Sequence, residues 1–290
     1  METAEHAPRQ ARPEALIGLL DDPSPVVRQA LVAHFTTMGP AAATFLREVE
    51  HGANRVLAGH AAWFLRELKF TDPAAEFRGF IRAMSYDLET GALLLARTVS
   101  PGLDISHCSA ALDAIAQRCR ELAVGPSAAR DKCRLINRVL FHELGFHGNV
   151  EHYIDPLNSL IDQVIERRKG NPVSLCIVYL LVAARLDFTL DPVGLPGHFV
   201  IGCSSDDLPF YVDPFEQGVM RDRGEIMALL SGRRSGITES DLAPVSVREV
   251  LCRVCRNLVN SFTASGEVEK VRLFSGFLDE FDAACARDAR

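Results

Sequence analysis

The chain has 290 residues, 48% of them apolar, a formal net charge of −7 and a pI near 5.7. That length and apolar content suffice for one large or two modest globular domains, and the acidic balance lacks the basic face or stripe that marks a nucleic-acid-binding chain. No apolar run approaches the roughly 20 residues that span a bilayer and the start, Met1-Glu2-Thr3-Ala4-Glu5-His6-Ala7-Pro8, is polar, so a cytoplasmic protein without membrane or nucleic-acid partners is expected.

Residues 13–70 read as two antiparallel helical hairpins. Leu16, Ile17, Leu19 and Leu20 give a short apolar face, Asp21-Asp22-Pro23-Ser24-Pro25 interrupts it, and Val26 to Val32 restarts it with a proline near the helix start. Gly39-Pro40 is the next turn, followed by helices over about Ala41 to Glu50 and Asn54 to Leu68, a spacing that suggests an internal repeat. The wording Asp22-Pro23-Ser24-Pro25-Val26-Val27-Arg28-Gln29-Ala30 resembles a HEAT repeat, over this N-terminal quarter alone. HEAT-type units bury a face by stacking and present a concave surface; a helical cap on the main domain is the other reading. Trp63 shares a helical face with Leu57 and Phe64-Leu65 and is expected in the core.

Thr71-Asp72-Pro73 marks a linker. Beyond it, Phe77 to Met84, Asp87 to Val99, Ser106 to Leu122 and Asp131 to Leu144 read as helices, the last closed by Gly145. Asn158 or Ser159 is a candidate cap for a helix from Leu160 to Arg168. His142, His147 and His152 recur at five-residue steps, which neither a helix nor a strand places on one face, so no metal site is expected there. The eight cysteines are scattered through apolar helical positions rather than forming a dense framework, and they read as reduced thiols.

The chemistry concentrates between Gly170 and Asp213. Gly170 is expected to end one helix, Asn171 to cap the next and Pro172 to occupy its first position. Leu175 to Ala183 is apolar almost all round, so this helix is buried, and its start offers free N–H groups and the positive dipole end to a thiolate or oxyanion. Leu190 to Val193, His198 to Cys203 and Phe210 to Val212 read as strands. On the middle one, His198, Val200 and Gly202 share a face while Cys203 points to the other. Asp213, ending the neighbouring strand, is placed to orient the imidazole, as the third member of a triad does. Pro196-Gly197 suits a turn where backbone passes close to a helix start or bound peptide.

Leu195-Pro196-Gly197-His198-Phe199, Asp213-Pro214-Phe215 with Gly218 after it, and Arg168-Lys169-Gly170-Asn171-Pro172-Val173-Ser174-Leu175, together with Tyr153, Asp155, Pro156, Asn158 and Ser159, resemble the SirB family of bacterial transglutaminase-like proteins. The resemblance covers roughly Phe77 to Met220, and a related domain occurs in eukaryotic F-box proteins. It implies a papain-like α+β fold with His198 and Asp213 at the positions of the catalytic His and Asp of true transglutaminases. The nucleophilic Cys of active members falls near Pro172 to Ser174, where this chain has none. Cys176 lies one turn deeper on the same helix face as Pro172, and Ser174 lies nearer the start but is an alcohol that needs stronger activation. A small buried core residue is the plain alternative for Cys176, and a strand-holding histidine satisfied by Asp213 is the plain alternative for His198.

Toward the C-terminus, Asp222-Arg223-Gly224 and the basic stretch Ser231 to Gly236 bracket a short helix. Val247 to Phe262 and Val268 to Ala284 then pair through Gly266, resembling the start of a tetratricopeptide-like tail. Cys252-Arg253-Val254-Cys255 falls within a helical pattern without a second pair, which argues against zinc or redox use.

The expected architecture is therefore α+β and mostly helical. HEAT-like hairpins occupy 1–72, a transglutaminase-like domain with a small antiparallel sheet occupies 73–245 (helical lead-in 73–150, core 151–220), and a helical hairpin occupies 246–290. The expected function is a non-catalytic, protein- or peptide-binding or regulatory one, using the pocket around Gly170, Asn171, Pro172, Pro196 and Gly197. An amide- or peptide-directed hydrolase or acyltransferase is the alternative, with Cys176 or Ser174 as nucleophile, His198 as base and Asp213 as orienter. A scaffold whose His–Asp pair only steadies the sheet is a third. No cofactor or metal is expected, and the sequence does not specify an oligomeric state.

Overall fold

The computed structural model of the protein describes residues 16–68, 70, 72–125, 127–204, 209–231 and 239–288. Two compact units are present, Met1–Ala75 and Glu76–Arg290. In the first, Pro25 opens α1 (Pro25–Met38), Gly39 turns out of it with φ +57, and α2 (Pro40–Glu50) follows. Asn54 caps α3 (Arg55–Glu67) by accepting from the Val56 and Leu57 N–H groups. Leu31, Phe35, Leu46, Ala61 and Phe64 are buried together, with the Phe35 and Phe64 rings edge to face at 5.3 Å. Trp63 lies at the margin of this core rather than inside it, half-buried, with the Arg28 guanidinium 5.0 Å from its ring centre.

Helix α4 (Pro73–Ala83) crosses the boundary at Glu76, and the second unit continues with α5 (Leu88–Arg97), α6 (Ile105–Leu122) and α7 (Ala129–Asn137). Asp87 caps α5 and Asp104 caps α6. Helix α7 widens into a π turn over Arg138–Glu143 that ends at Gly145, φ +75. After α8 (Ile161–Arg167), the central helix α9 (Pro172–Arg185) is buried at every residue from Pro172 to Ala183. It is wrapped by α6, α8, α11 (Val247–Ser265) and the second strand of the sheet, which is why its sequence carries no polar face. Helix α10 (Arg223–Ser231) follows the sheet, with the Asp222 carboxylate accepting from the Glu225 N–H. Helices α11 and α12 (Val268–Asp288) pair through Gly266, φ +76, and Phe274, Phe277 and Phe281 of α12 are buried, with Phe277 edge to face on Phe77 of α4. Cys252 and Cys255 are free thiols buried within α11.

A four-stranded antiparallel sheet runs in the order β3 (Asp191–Leu195), β4 (His198–Cys203), β5 (Phe210–Asp213), β6 (Val219–Asp222). Leu195 pairs with His198, so Pro196-Gly197 is the two-residue turn between them, and Gly197 takes the positive φ of +70 that such a turn requires. The protein is thus mostly helical with a small antiparallel sheet. Strand β6 is not legible in the sequence, because Val219 to Asp222 is a partly exposed edge without an apolar run.

Two further expectations change. Gly170 does not stop a helix: Arg168 takes the left-handed turn at φ +56, and Lys169–Gly170 (β2) pairs in parallel with His147–Gly148 (β1). Asn158 and Ser159 do not cap α8; they form a separate 3₁₀ turn, and Leu160 at the head of α8 gives no side-chain cap. The polar start at Met1 to Pro8 and the basic stretch from Gly232 to Gly236 lie outside the described residues.

Candidate functional site

Asn171 caps α9 and Pro172 is its first residue. Asn171 Oδ1 accepts from the Ser174 N–H at 3.0 Å, and Ser174 Oγ accepts from the Asn171 N–H at 3.1 Å, a reciprocal capping box. The Ser174 hydroxyl donates to the Asn158 carbonyl at 2.6 Å. Asn171 Nδ2 donates to Ser159 Oγ, Asn149 Nδ2 donates to Asn158 Oδ1, and Asn158 Nδ2 donates to the His152 carbonyl. Asn149, Asn158, Ser159, Asn171 and Ser174 are all buried. Such a network tolerates burial because its groups are partnered. Gly170 is required beside it, since a Cβ there would sit 2.5 Å from Ser174 Oγ.

This helix start is therefore sealed. Gly170, Asn171, Pro172, Val173 and Ser174 are buried, whereas Pro196 is half-buried and Gly197 exposed on the turn ahead of His198. Neither candidate nucleophile is presented. Ser174 Oγ is occupied as described, and Cys176 is 0% exposed with Sγ 3.6 Å from the Phe199 carbonyl. Burial, reinforced by the charge of Asp213, holds the Cys176 thiol well above its usual pKa, so it stays protonated. Cys203 is also buried and lies on the other face of β4 from His198 by the alternation of the strand.

His198 and Asp213 do come together. The ring Nε2 lies 2.6 Å from Asp213 Oδ2, in a histidine 7% exposed and an aspartate 1% exposed. Asp213 Oδ1 accepts from the Phe215 and Glu216 N–H groups, and the guanidinium of Arg221 on β6 lies 3.4 Å from Oδ2. The carboxylate is thus neutralised on one side and hydrogen-bonded on the other, so it acts as an acceptor. That arrangement places a proton on Nε2, facing the carboxylate, while Nδ1 makes no hydrogen bond among the described residues. Arg221 also pairs with Glu216. Sequence reasoning missed Arg221, because only the pairing of Arg221 with Tyr211 across β5 and β6 brings it beside Asp213.

Aromatic rings continue the site outward. The Phe215 ring stands edge to face on His198 at 6.2 Å, and Tyr153, half exposed, stands on Phe215 at 6.0 Å. Gly148 makes room for this row, since a Cβ at that position would lie 2.6 Å from the Phe215 ring. Val150 and Ile154 are exposed on the same loop as Tyr153. Chemically the arrangement is an oriented base with an aromatic approach and no activated nucleophile beside it.

A family model described as the transglutaminase-like superfamily matches residues 106–256. The chain belongs to the transglutaminase-like superfamily. The match spans α6 to α11 and contains the sealed helix start, the His198–Asp213 pair and Arg221. Among relatives, the chain is 36% identical over 177 residues to a "UPF0162 protein" of Xylella fastidiosa, covering 59% of this chain and 63% of that protein. It is 29% identical over 154 residues to a "UPF0162 protein" of Vibrio cholerae, covering 53% and 57%. It is also 32% identical over 152 residues to "F-box only protein 21" of Mus musculus, covering 50% of this chain and 24% of that protein. The chain thus spans under two thirds of the length of these relatives. No solved structure matches it. Among the described residues of this transglutaminase-like protein, no helix is long and apolar enough to cross a membrane, and no group of three or more His, Cys, Asp or Glu side chains is placed to hold a metal ion.

Proposed function

We propose that this transglutaminase-like protein is a non-catalytic protein- or peptide-binding member of the superfamily, of the SirB branch. One observation carries the reading: both side chains able to serve as a nucleophile at the start of α9 are buried and spent as hydrogen-bond donors, Ser174 to Asn158 and Cys176 toward Phe199. A serine needs its proton taken by a base and a cysteine needs a thiolate, and neither condition is met. The surface that remains is the exposed loop Val150–Tyr153–Ile154 leading to Phe215 and His198, a setting suited to an extended peptide with an apolar side chain. The HEAT-like reading of the first 72 residues adds a second surface for a protein partner.

The test is chemical. Native protein treated with chloroacetamide and mapped by mass spectrometry is expected to modify Cys285, the exposed thiol, and to leave Cys176 untouched. A fluorophosphonate is expected to leave Ser174 untouched. Selective modification of Cys176 or Ser174 would overturn the proposal in favour of the hydrolase or acyltransferase. Peptides selected from a random display library for binding to the intact protein are expected to lose affinity on Tyr153→Ala, and indifference to that change would remove the loop from the binding surface.

A further inference from the structure

The turn ahead of His198 rests on a guanidinium. Arg253 of α11 donates from Nη2 at 2.9 Å to the carbonyl of Leu195, the buried residue that opens the Pro196–Gly197 turn. Helix α11 packs against β3 and against the 3₁₀ turn Pro156–Ser159, which follows Tyr153 in the chain, and the Tyr153 phenol acts on Arg253 electrostatically. Arg253 thus adjoins the Tyr153 end of the row that begins at His198. Arg167, Arg185, Arg221 and Arg248, similarly half-buried, each meet a carboxylate, and Arg78 and Arg130 lie over aromatic rings. Arg253, half-buried as well, has neither among the described residues. Its Nε and Nη1 make no hydrogen bond there and are not sealed from solvent. The carboxylate that acts on it, Glu249 one turn earlier, is bound to Arg256 at 2.7 Å, and Arg256 adds a like charge. Burial and that like charge pull the Arg253 guanidinium below its usual pKa, so the charged form carries a cost that a bound anion would relieve.

We infer that Arg253 receives the carboxylate of an aspartate or glutamate side chain of a bound peptide, whose neighbouring apolar side chain lies against Tyr153 and Ile154. The inference rests on the peptide-binding reading of this surface and names the chemistry of the peptide. Three features select that chemistry. Nε and Nη1 are adjacent donors of one planar fork, and such a fork matches the two oxygens of a carboxylate. One guanidinium balances one negative charge, which suits a carboxylate better than a phosphate dianion on a chain whose net charge is already −7. The guanidinium is recessed against the backbone of a buried residue. A carboxylate on a flexible methylene stem reaches it from outside, whereas a chain terminus would have to bury its last peptide unit to do so.

Heptapeptides with a blocked C-terminus, selected on the full chain from a random display library, test this. The selected peptides are expected to share an Asp or Glu beside a large apolar residue. The tightest is then synthesised as its C-terminal amide and its binding read by fluorescence anisotropy. Exchange of its acid for the matching amide, Glu to Gln or Asp to Asn, is expected to weaken binding to the parent about tenfold, the scale of one charged hydrogen bond. On Arg253→Gln the same exchange is expected to change nothing, because the two substitutions remove one interaction. Arg253→Lys keeps the charge and loses the fork, so it is expected to retain part of the ratio, and it carries the test if the thermal midpoint shows that Arg253→Gln is not folded. Arg272→Gln, an exposed cation on α12, is expected to keep the full ratio and controls for general attraction. Failure to select any binder overturns the peptide-binding reading and the inference with it. Binders without a shared acid, an acid preference as large on the Arg253 variants as on the parent, or recovery of the amide-exchanged peptide by a free C-terminal carboxylate, each overturns the inference alone.

Discussion

Asp213 and Asp162 are both carboxylates buried in the same unit, and they are buried in opposite ways. Asp213, 1% exposed, meets the His198 ring, the Arg221 guanidinium and two backbone N–H groups, so each of its oxygens has a donor. Asp162, 7% exposed, meets one side-chain amide and keeps an oxygen with no donor among the described residues. Burial alone thus says little about what a charge is for. A carboxylate whose whole surround is built from the fold is an internal fixture, whereas one with a vacant acceptor marks a place where the fold is incomplete by itself. The comparison can be broken by substitution, and the two positions should respond with different sign.

The largest effect is expected at Asp213. Asp213→Ala removes the buried acceptor that holds the His198 ring and one of the two carboxylates beside the Arg221 guanidinium, leaving it Glu216 alone. Breaking one partner out of a buried pair costs about 3–5 kcal/mol, and urea unfolding measures it. A loss below about 1 kcal/mol, the scale of an exposed pair, would mean the surround of Asp213 is not the fixture described. Second in size is Gly148→Ala. Its Cβ would lie 2.6 Å from the Phe215 ring, which is wedged between Tyr153 and His198, and overpacking of this kind costs about 1–3 kcal/mol. The double variant Gly148→Ala, Phe215→Leu should recover most of that loss; failure to recover would locate the strain in the β1–β2 backbone instead. Third is Ser174→Ala, which removes half of the capping box and the donor to the Asn158 carbonyl, for about 1–2 kcal/mol. Unfolding by urea again reads it, and a neutral result would show that the sealed helix start does not depend on this hydroxyl.

These effects fall where the sequence was only partly readable. The central helix was legible because Leu175 to Ala183 leaves no polar face, and the strand carrying His198 was legible because turn residues bracket it. His198 and Asp213 were legible as a pair because alternation sets the side of His198, Asp213 ends the next strand, and both stand in motifs that resemble those of transglutaminase-like proteins. The edge strand β6 was not, since its residues are half exposed and neither alternate strongly nor run apolar, and with it went Arg221, whose meeting with Asp213 depends on a register no local pattern encodes. The reading of Asn158 and Ser159 as caps failed for a related reason. Their residue types suit a helix start, but their partners, Asn149 and Asn171, lie 9 and 12 residues away in the chain, and long-range hydrogen bonds overrode the local preference. Asp162 gave no signal whatever, because an acidic residue in the first turn of a helix is ordinary in sequence and becomes unusual only when its oxygen is found buried and alone.

The smallest expected effect is the one that separates the two carboxylates most cleanly. Asp162→Asn keeps the shape of the side chain and removes its charge. At a position where the charge was satisfied by the fold this would destabilise, as at Asp213. At Asp162 it relieves a buried oxygen that has no donor, so the free energy of unfolding should change by no more than about 0.5 kcal/mol or rise. Urea unfolding of the parent and the variant reads the difference. A clear loss of stability in the variant would place Asp162 beside Asp213 as a second internal fixture and end the distinction between them.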